Sequence, residues 1–305
     1  MVKSKNWLND NYEKLLDYYA ATGFKFPFQV FVGVFLLVAI LVFFVLFMLK
    51  LPIIINVIAF LSIMSLVIAV PISIRNARIS HIDENLPDSL KHMALVLRAG
   101  GTTETALQEV SEADYGPLSV ELGIALIRMR EGQSFDDVLN EAARRSGSKL
   151  FTRVAIIIID AKKAGAGLAD VMFAIAEDAR DVLHIKRERQ SRTVMHVLFL
   201  VTSGVLLSPF IFGFAISIVH YISTGISGSM PGAVEVMSLC TLNLILTGFI
   251  VIETVLASIA IGIIREGKPS KFILYTPLMI LAALLIFEIG KWLSTAIVGG
   301  QSFVC

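Results

Sequence analysis

Three ionisable side chains stand where nearly every neighbour is hydrocarbon. Glu253 lies midway through the apolar run 236–264, and Glu288 and Lys291 lie within 272–298. A charge at the centre of a bilayer costs about 2.5–3.5 kcal/mol on insertion scales, so such groups are expected to be paired or functional. Glu288 and Lys291 are three residues apart and can pair on one helical face. Lys291 is also close enough to the outer end of its run to snorkel. Glu253 flanks a polar seam of Cys240, Asn243, Thr247, Thr254 and Ser258, which recur on one face of a helix. A seam of this kind glues helices together, within the chain or in a dimer. Contact with a foreign helix in the membrane is the other reading.

A second set of charges lies in the polar middle of the chain. Arg98, Arg130, Glu131, Lys162 and Lys163 sit beside glycines that end helices, with Arg144 and Arg145 nearby. Charged tips are ordinarily solvated. If their helices stack in parallel, three basic tips point one way and form a docking surface for an acidic partner.

Other chemistry finds no footing. There is no G-x-x-x-x-G-K-[ST] phosphate loop, and "GAGLAD" lacks the third glycine and the preceding strand of a dinucleotide site. No H-E-x-x-H or Cys/His cluster offers a metal site, and the five histidines are scattered. Cys240 and Cys305 read as a small buried hydrophobe and a free terminal thiol rather than a disulfide framework. A net charge of +1 leaves no electrostatic footprint for nucleic acid. The expectation is a protein with no catalytic activity, no cofactor and no metal.

These residues must be positioned by membrane helices. The chain has 305 residues, 56% of them hydrophobic and 17% charged, below the quarter or so typical of soluble domains. Residues 75–192 hold 17 of the 26 Lys/Arg and 18 of the 25 Asp/Glu, so the charge is pooled in one soluble domain. Runs 26–49 and 51–74 carry no charge and form a hairpin around Lys50; each can cross about 30 Å of hydrocarbon. Three more spans fit 194–221, with a kink at Pro209, then 236–264 and 272–298. Lys and Arg cluster before the first span, after the second, before the third and between the last two; the opposite loops offer Lys50 and Glu235. The positive-inside rule places the N-terminus and residues 75–192 in the cytoplasm and the C-terminus outside. Within 1–27, Leu8, Tyr12, Leu15, Leu16 and Tyr19 have helical spacing, and Trp7 could anchor that helix at the interface.

The soluble domain repeats one pattern three times, in "LRAGGTTETAL" (97–107), "MREGQSFDDVL" (129–139) and "KKAGAGLADVM" (162–172). A cation suits the end of a helix dipole, Gly100, Gly132 or Gly165 ends the helix, and Thr102, Ser134 or Gly167 starts the next. The domain is therefore expected to be a six-helix bundle of three helical hairpins, in an all-α polytopic membrane protein. A helix is expected to begin at Leu86-Pro87. Apolar stripes run along Leu90, Met93, Ala94 and Leu97, and along Ile124, Leu126 and Ile127; "AIIIID" (155–160), apolar nearly all round, is expected at the centre. The helix from Leu168 is expected to continue unbroken into the third span. A tetratricopeptide-like solenoid shares the period of about 33 residues, but its Trp, Leu-Gly and Tyr signature is absent.

Leu86-Pro87-Asp88-Ser89-Leu90, Leu97-Arg98-Ala99-Gly100, Pro117-Leu118-Ser119-Val120-Glu121-Leu122 and Gly132-Gln133-Ser134-Phe135-Asp136-Asp137-Val138-Leu139, in that order, resemble the type II secretion system F domain. The resemblance covers about residues 80–195. It implies an assembly platform beneath a type IV pilus-like filament, taking up the motion of a cytoplasmic hexameric ATPase and passing it to pilin-like subunits drawn from the membrane lipid. In that setting the basic tips are candidate ATPase contacts, and the seam around Glu253 is a candidate pilin contact. Secretory platforms of this family carry two such domains. With one, this chain is more similar to single-domain Tad-like platforms or half of an archaeal pilus or archaellum platform, acting as a homodimer or with a second F-domain protein. Two other classes share part of the pattern. One is a small transporter, for which matching inverted halves are missing; the other is a membrane-tethered helical adaptor.

Overall fold

The structure, a computed structural model, describes residues 28–48, 52–164, 167–227, 239–266 and 272–298. The expected helix before residue 28, the Lys50 turn, the Glu235 loop, Gly165 and the terminal "GGQSFVC" lie outside these residues. Among the described residues the chain is all-helical. The helices are α1 (Phe28–Met48), α2 (Ile53–Arg98), α3 (Thr103–Glu112), α4 (Pro117–Arg130), α5 (Phe135–Ser146), α6 (Lys149–Lys163), α7 (Leu168–Val201), a π-helical turn (Thr202–Leu207), α8 (Ser208–Ser227), α9 (Leu239–Glu266) and α10 (Phe272–Val298). Among the described residues, five helical stretches are long and apolar enough to cross a membrane, as expected. The protein is a multi-pass membrane protein.

Two compact units emerge, Met1–Ile72 with Arg192–Cys305, and Ser73–Ser191. Their boundaries fall inside α2 and α7. α2 is one helix of 46 residues that runs through Pro71 and Pro87, so no new helix starts at Pro87. A proline removes one backbone hydrogen bond, and the buried side chains on either side, Ile82, Leu86, Leu90 and Met93, hold the helix together across that gap. α7 is likewise unbroken from Leu168 to Val201.

In the soluble unit, α3–α4, α4–α5 and α5–α6 pack as successive neighbours. They close over a core with Leu86, Leu90 and Met93 of α2, Leu107, Leu118, Leu122, Leu139, Phe151 and Ile158 from the middle helices, and Met172 of α7. The α2 stripe buries as expected. On α4 the inward face is instead Leu118, Glu121, Leu122, Ala125 and Leu126, while Ile127 is 59% exposed. α6 is also two-sided: Val154, Ala155, Ile158 and Ile159 are buried, and Ile156 and Ile157 face outward. Runs of isoleucine conceal the 3.6-residue period, because both faces of the helix look alike in sequence.

In the membrane unit, α10 packs against α8 and α9 around Phe287, Ala283, Ile250 and Ile261. Small residues set the α8–α10 approach. A Cβ on Gly213 would run into the Phe287 carbonyl, and one on Gly290 would stand 2.7 Å from the Phe210 carbonyl. Ser217 Oγ donates to the Lys291 carbonyl at 3.2 Å, and Ser294 Oγ to the Phe214 carbonyl at 3.3 Å. Helices in lipid associate through such close, small-residue contacts.

Candidate interaction surfaces

The hairpin tips form as the repeat predicts wherever they are described. Gly100 and Gly132 adopt φ of 90° and 97°, which L side chains rarely enter. Thr102 caps α3 in a box with Thr105, and the Ser134 hydroxyl accepts from the Asp137 amide at 3.2 Å. At each tip a cation ending one helix meets an acid in the first turn of another. Arg130 pairs with Glu104 at 3.1 Å, Lys162 with Asp136 at 2.7 Å, and Arg98 with Asp170 at 2.6 Å. Both partners suit their helix dipoles, and the pairs draw the tips to one end of the soluble unit. Arg98 also covers the Phe173 ring at 4.9 Å, and Lys162 the Phe135 ring at 5.2 Å. These three cations are therefore tied into the hairpins, while Glu131 and Lys163 are exposed at the same end.

Arg144 and Arg145 belong to the opposite end, where hairpins join. Gly147, at φ 68°, closes α5, and Ser148 opens α6 by accepting from the Phe151 amide at 2.9 Å. The Ser148 hydroxyl in turn donates to Asp83 of α2. Burial pushes the Asp83 carboxyl above its ordinary value; the Ser148 bond and the charge of Lys186 pull it back, and Glu84 adds to the rise. Arg145 is no free cation. It reaches Glu121 Oε2 at 3.0 Å, and Arg78 of α2 reaches Oε1 at 2.9 Å. Glu121 is 4% exposed and binds both, so α2, α4 and α5 meet at a single carboxylate. In sequence Glu121 has no role beyond its place in the Pro117–Leu122 stretch. Its signal was position: it falls at i+3 from Leu118 and i−4 from Ala125, on the buried face.

The membrane seam packs inward. Asn243, Thr247, Thr254 and Ser258 are all buried. Thr247 donates to the Asn243 carbonyl at 2.8 Å, Thr254 to the Ile250 carbonyl at 2.9 Å, and Ser258 meets the Thr276 hydroxyl of α10 at 2.6 Å. The side-chain oxygen of Asn243 is buried without a partner. Cys240 is disulfide-bonded rather than a lone buried thiol, which corrects the expectation drawn from the sequence; Cys305 lies outside the described residues. Lys291 is buried within the helix packing. It is 8% exposed, pairs with Glu288 at 2.5 Å and covers the Phe287 ring at 4.8 Å.

Glu253 stands apart from the seam. Its Oε2 accepts from Ser208 Oγ at 2.6 Å, across from α9 to the first residue of α8. Immediately before Ser208 lies the π-helical turn, closed by the Ser208 amide bonding the Ser203 carbonyl. Pro209 accounts for it: having no N–H, it cannot bond the carbonyl four residues back, and the helix accommodates an extra residue there. Where a kink was expected at Pro209, the structure shows this π-helical turn just before it. Among the described residues no three His, Cys, Asp or Glu side chains gather as a metal site requires.

Residues 89–215 match the family model described as Type II secretion system (T2SS), protein F. The match starts within α2 and ends within α8, so it takes in most of the soluble unit and part of the third span. Over 204 residues the chain is 23% identical to Uncharacterized protein MJ1286 of Methanocaldococcus jannaschii, covering 66% of this chain and 33% of that protein. Over 141 residues it is 26% identical to Uncharacterized protein MJ0779 of the same organism, covering 45% of this chain and 47% of that one. The chain thus spans less than half the length of either relative. No solved structure matches it.

Proposed function

From a chain that carries a type II secretion system F-type domain over residues 89–215, we propose a membrane assembly platform for a type IV pilus-like filament or a type II secretion machine. The observation that carries the reading is the matched segment itself, which is a charged helical unit continuing into apolar, membrane-length helix. In this reading the soluble unit is a cytoplasmic six-helix bundle of three hairpins. Its tip end, with Glu131 and Lys163 exposed, receives a hexameric ATPase, and the membrane unit receives pilin-like subunits. The platform's work is mechanical, with ATP spent on the ATPase and no chemistry on this chain. Its partner in this reading is another F-domain chain, a second copy or a different protein.

The Lys/Arg distribution supports a cytoplasmic N-terminus and soluble unit. An in-frame deletion in the native host tests the function. Surface filaments or secretion should be lost and then restored by the gene supplied in trans; unchanged filaments and secretion in the deletion strain would refute the reading.

A further inference from the structure

The two acids inside the membrane helices are handled differently. Glu288 carries its own counter-ion, Lys291, three residues along the same helix. Glu253 has no Lys or Arg partner among the described residues, and Ser208 supplies one hydroxyl. A carboxylate offers about four acceptor positions, so most of its capacity is unmet. It sits 14 residues after the start of α9 and 13 before its end, at mid-depth, where water cannot serve it.

Glu253 also lines a groove of about 380 Å³ together with Leu200, Ser203, Gly204, Phe249, Leu256 and Ala260, among others. The walls are apolar, and the π-helical turn contributes Ser203 and Gly204. Small residues bring the two walls close: a Cβ on Gly204 would meet that of Ala257 at 3.5 Å. The volume holds a few side chains rather than a whole helix.

We propose that this groove is a docking site for a transmembrane helix of another protein that carries a cationic group, a lysine or amine, at mid-depth. The foreign helix lies across the apolar walls, and its cation enters the groove to pair with Glu253. Charge complementarity selects the occupant. An uncharged helix leaves the carboxylate unmet, an acidic one repels it, and a lipid tail brings no donor. In hydrocarbon such a pair discriminates strongly, because both partners otherwise remain unpaired. The groove's preference for a cation follows from this geometry alone; only the identity of the helix, a subunit awaiting assembly, rests on the platform reading.

The test uses the full chain in lipid vesicles with two synthetic transmembrane peptides of Leu and Ala, one with a central Lys and one with Leu in its place. Association is read by energy transfer from a labelled protein. The Lys peptide should associate about tenfold or more tightly than the Leu peptide, equivalent to one well-formed pair. Glu253→Gln keeps an oxygen for Ser208 and should erase the difference. Leu256→Trp, which fills the groove without touching the charge, should weaken the Lys peptide as well; it carries the test if Glu253→Gln does not fold. Equal association of both peptides with the wild-type protein, or a Lys preference that survives both variants, would overturn the proposal. Co-purification of an ATPase with the Glu253→Gln protein would show that the groove can fail while the platform reading stands.

Discussion

Glu121 is the side chain whose loss the soluble unit should tolerate least. It is buried, and it holds Arg78 and Arg145 from two other helices. Glu121→Ala strands both guanidiniums, which remain partly solvated, so the expected cost is about 2–3 kcal/mol rather than the full penalty of a dry pair. Arg130→Ala removes a half-exposed pair with Glu104 and should cost less than about 1 kcal/mol. Thermal melting of both variants in detergent checks the ranking, and equal shifts would contradict it. Asp83 predicts a pH effect. Its folded pKa is raised above the ordinary 3.8, so its stabilising influence is full below that value and is lost as pH rises through the raised one. Asp83→Asn can still accept the Ser148 hydrogen bond and cannot ionise. Its stability relative to wild type should grow as pH rises from about 4 through the raised value and then level off; a difference that stays constant as pH rises from about 4 would refute the assignment.

At the scale of elements, two kinds of glycine separate cleanly. Gly132 needs only its positive φ, since nothing stands within 4 Å of an added Cβ. Gly132→Ala should cost about 1 kcal/mol, with the hairpin retained. Gly213 is a contact, and Gly213→Ala must push α8 away from the Phe287 carbonyl of α10. A cost of about 1–3 kcal/mol or more is expected, with looser α8–α10 packing. Cysteine cross-linking between those helices measures it, and unchanged cross-linking would show that the approach is softer than described. The first kind of glycine was legible in sequence, because a basic residue, a glycine and a cap in fixed order report local backbone chemistry. The second kind was not, because Gly213 and Gly290 sit 77 positions apart and mean nothing until the helices cross. The π-helical turn was half legible: Pro209 marked a distortion but not its form.

At the scale of the molecule, the apolar runs and the charged middle set out the helical membrane architecture in advance, since length and charge alone decide what can cross lipid. Partnerships across the fold were less visible. Arg98, Arg130 and Lys162 read as free docking charges, yet each has an acid close by that only the hairpin packing brings near. The docking surface proposed for the motor therefore narrows to Glu131 and Lys163, and Lys163→Glu should lower ATPase affinity several-fold without shifting the melting temperature. An ATPase that binds this variant as well as wild type would move the contact elsewhere. The central claim is that the chain is a platform. Its most direct test is to tag the protein in its native host, solubilise the membranes gently and identify what co-purifies. A hexameric secretion-type ATPase should be recovered, with or without a second F-domain protein. Reproducible recovery of a transport or signalling complex, with no such ATPase, would contradict it.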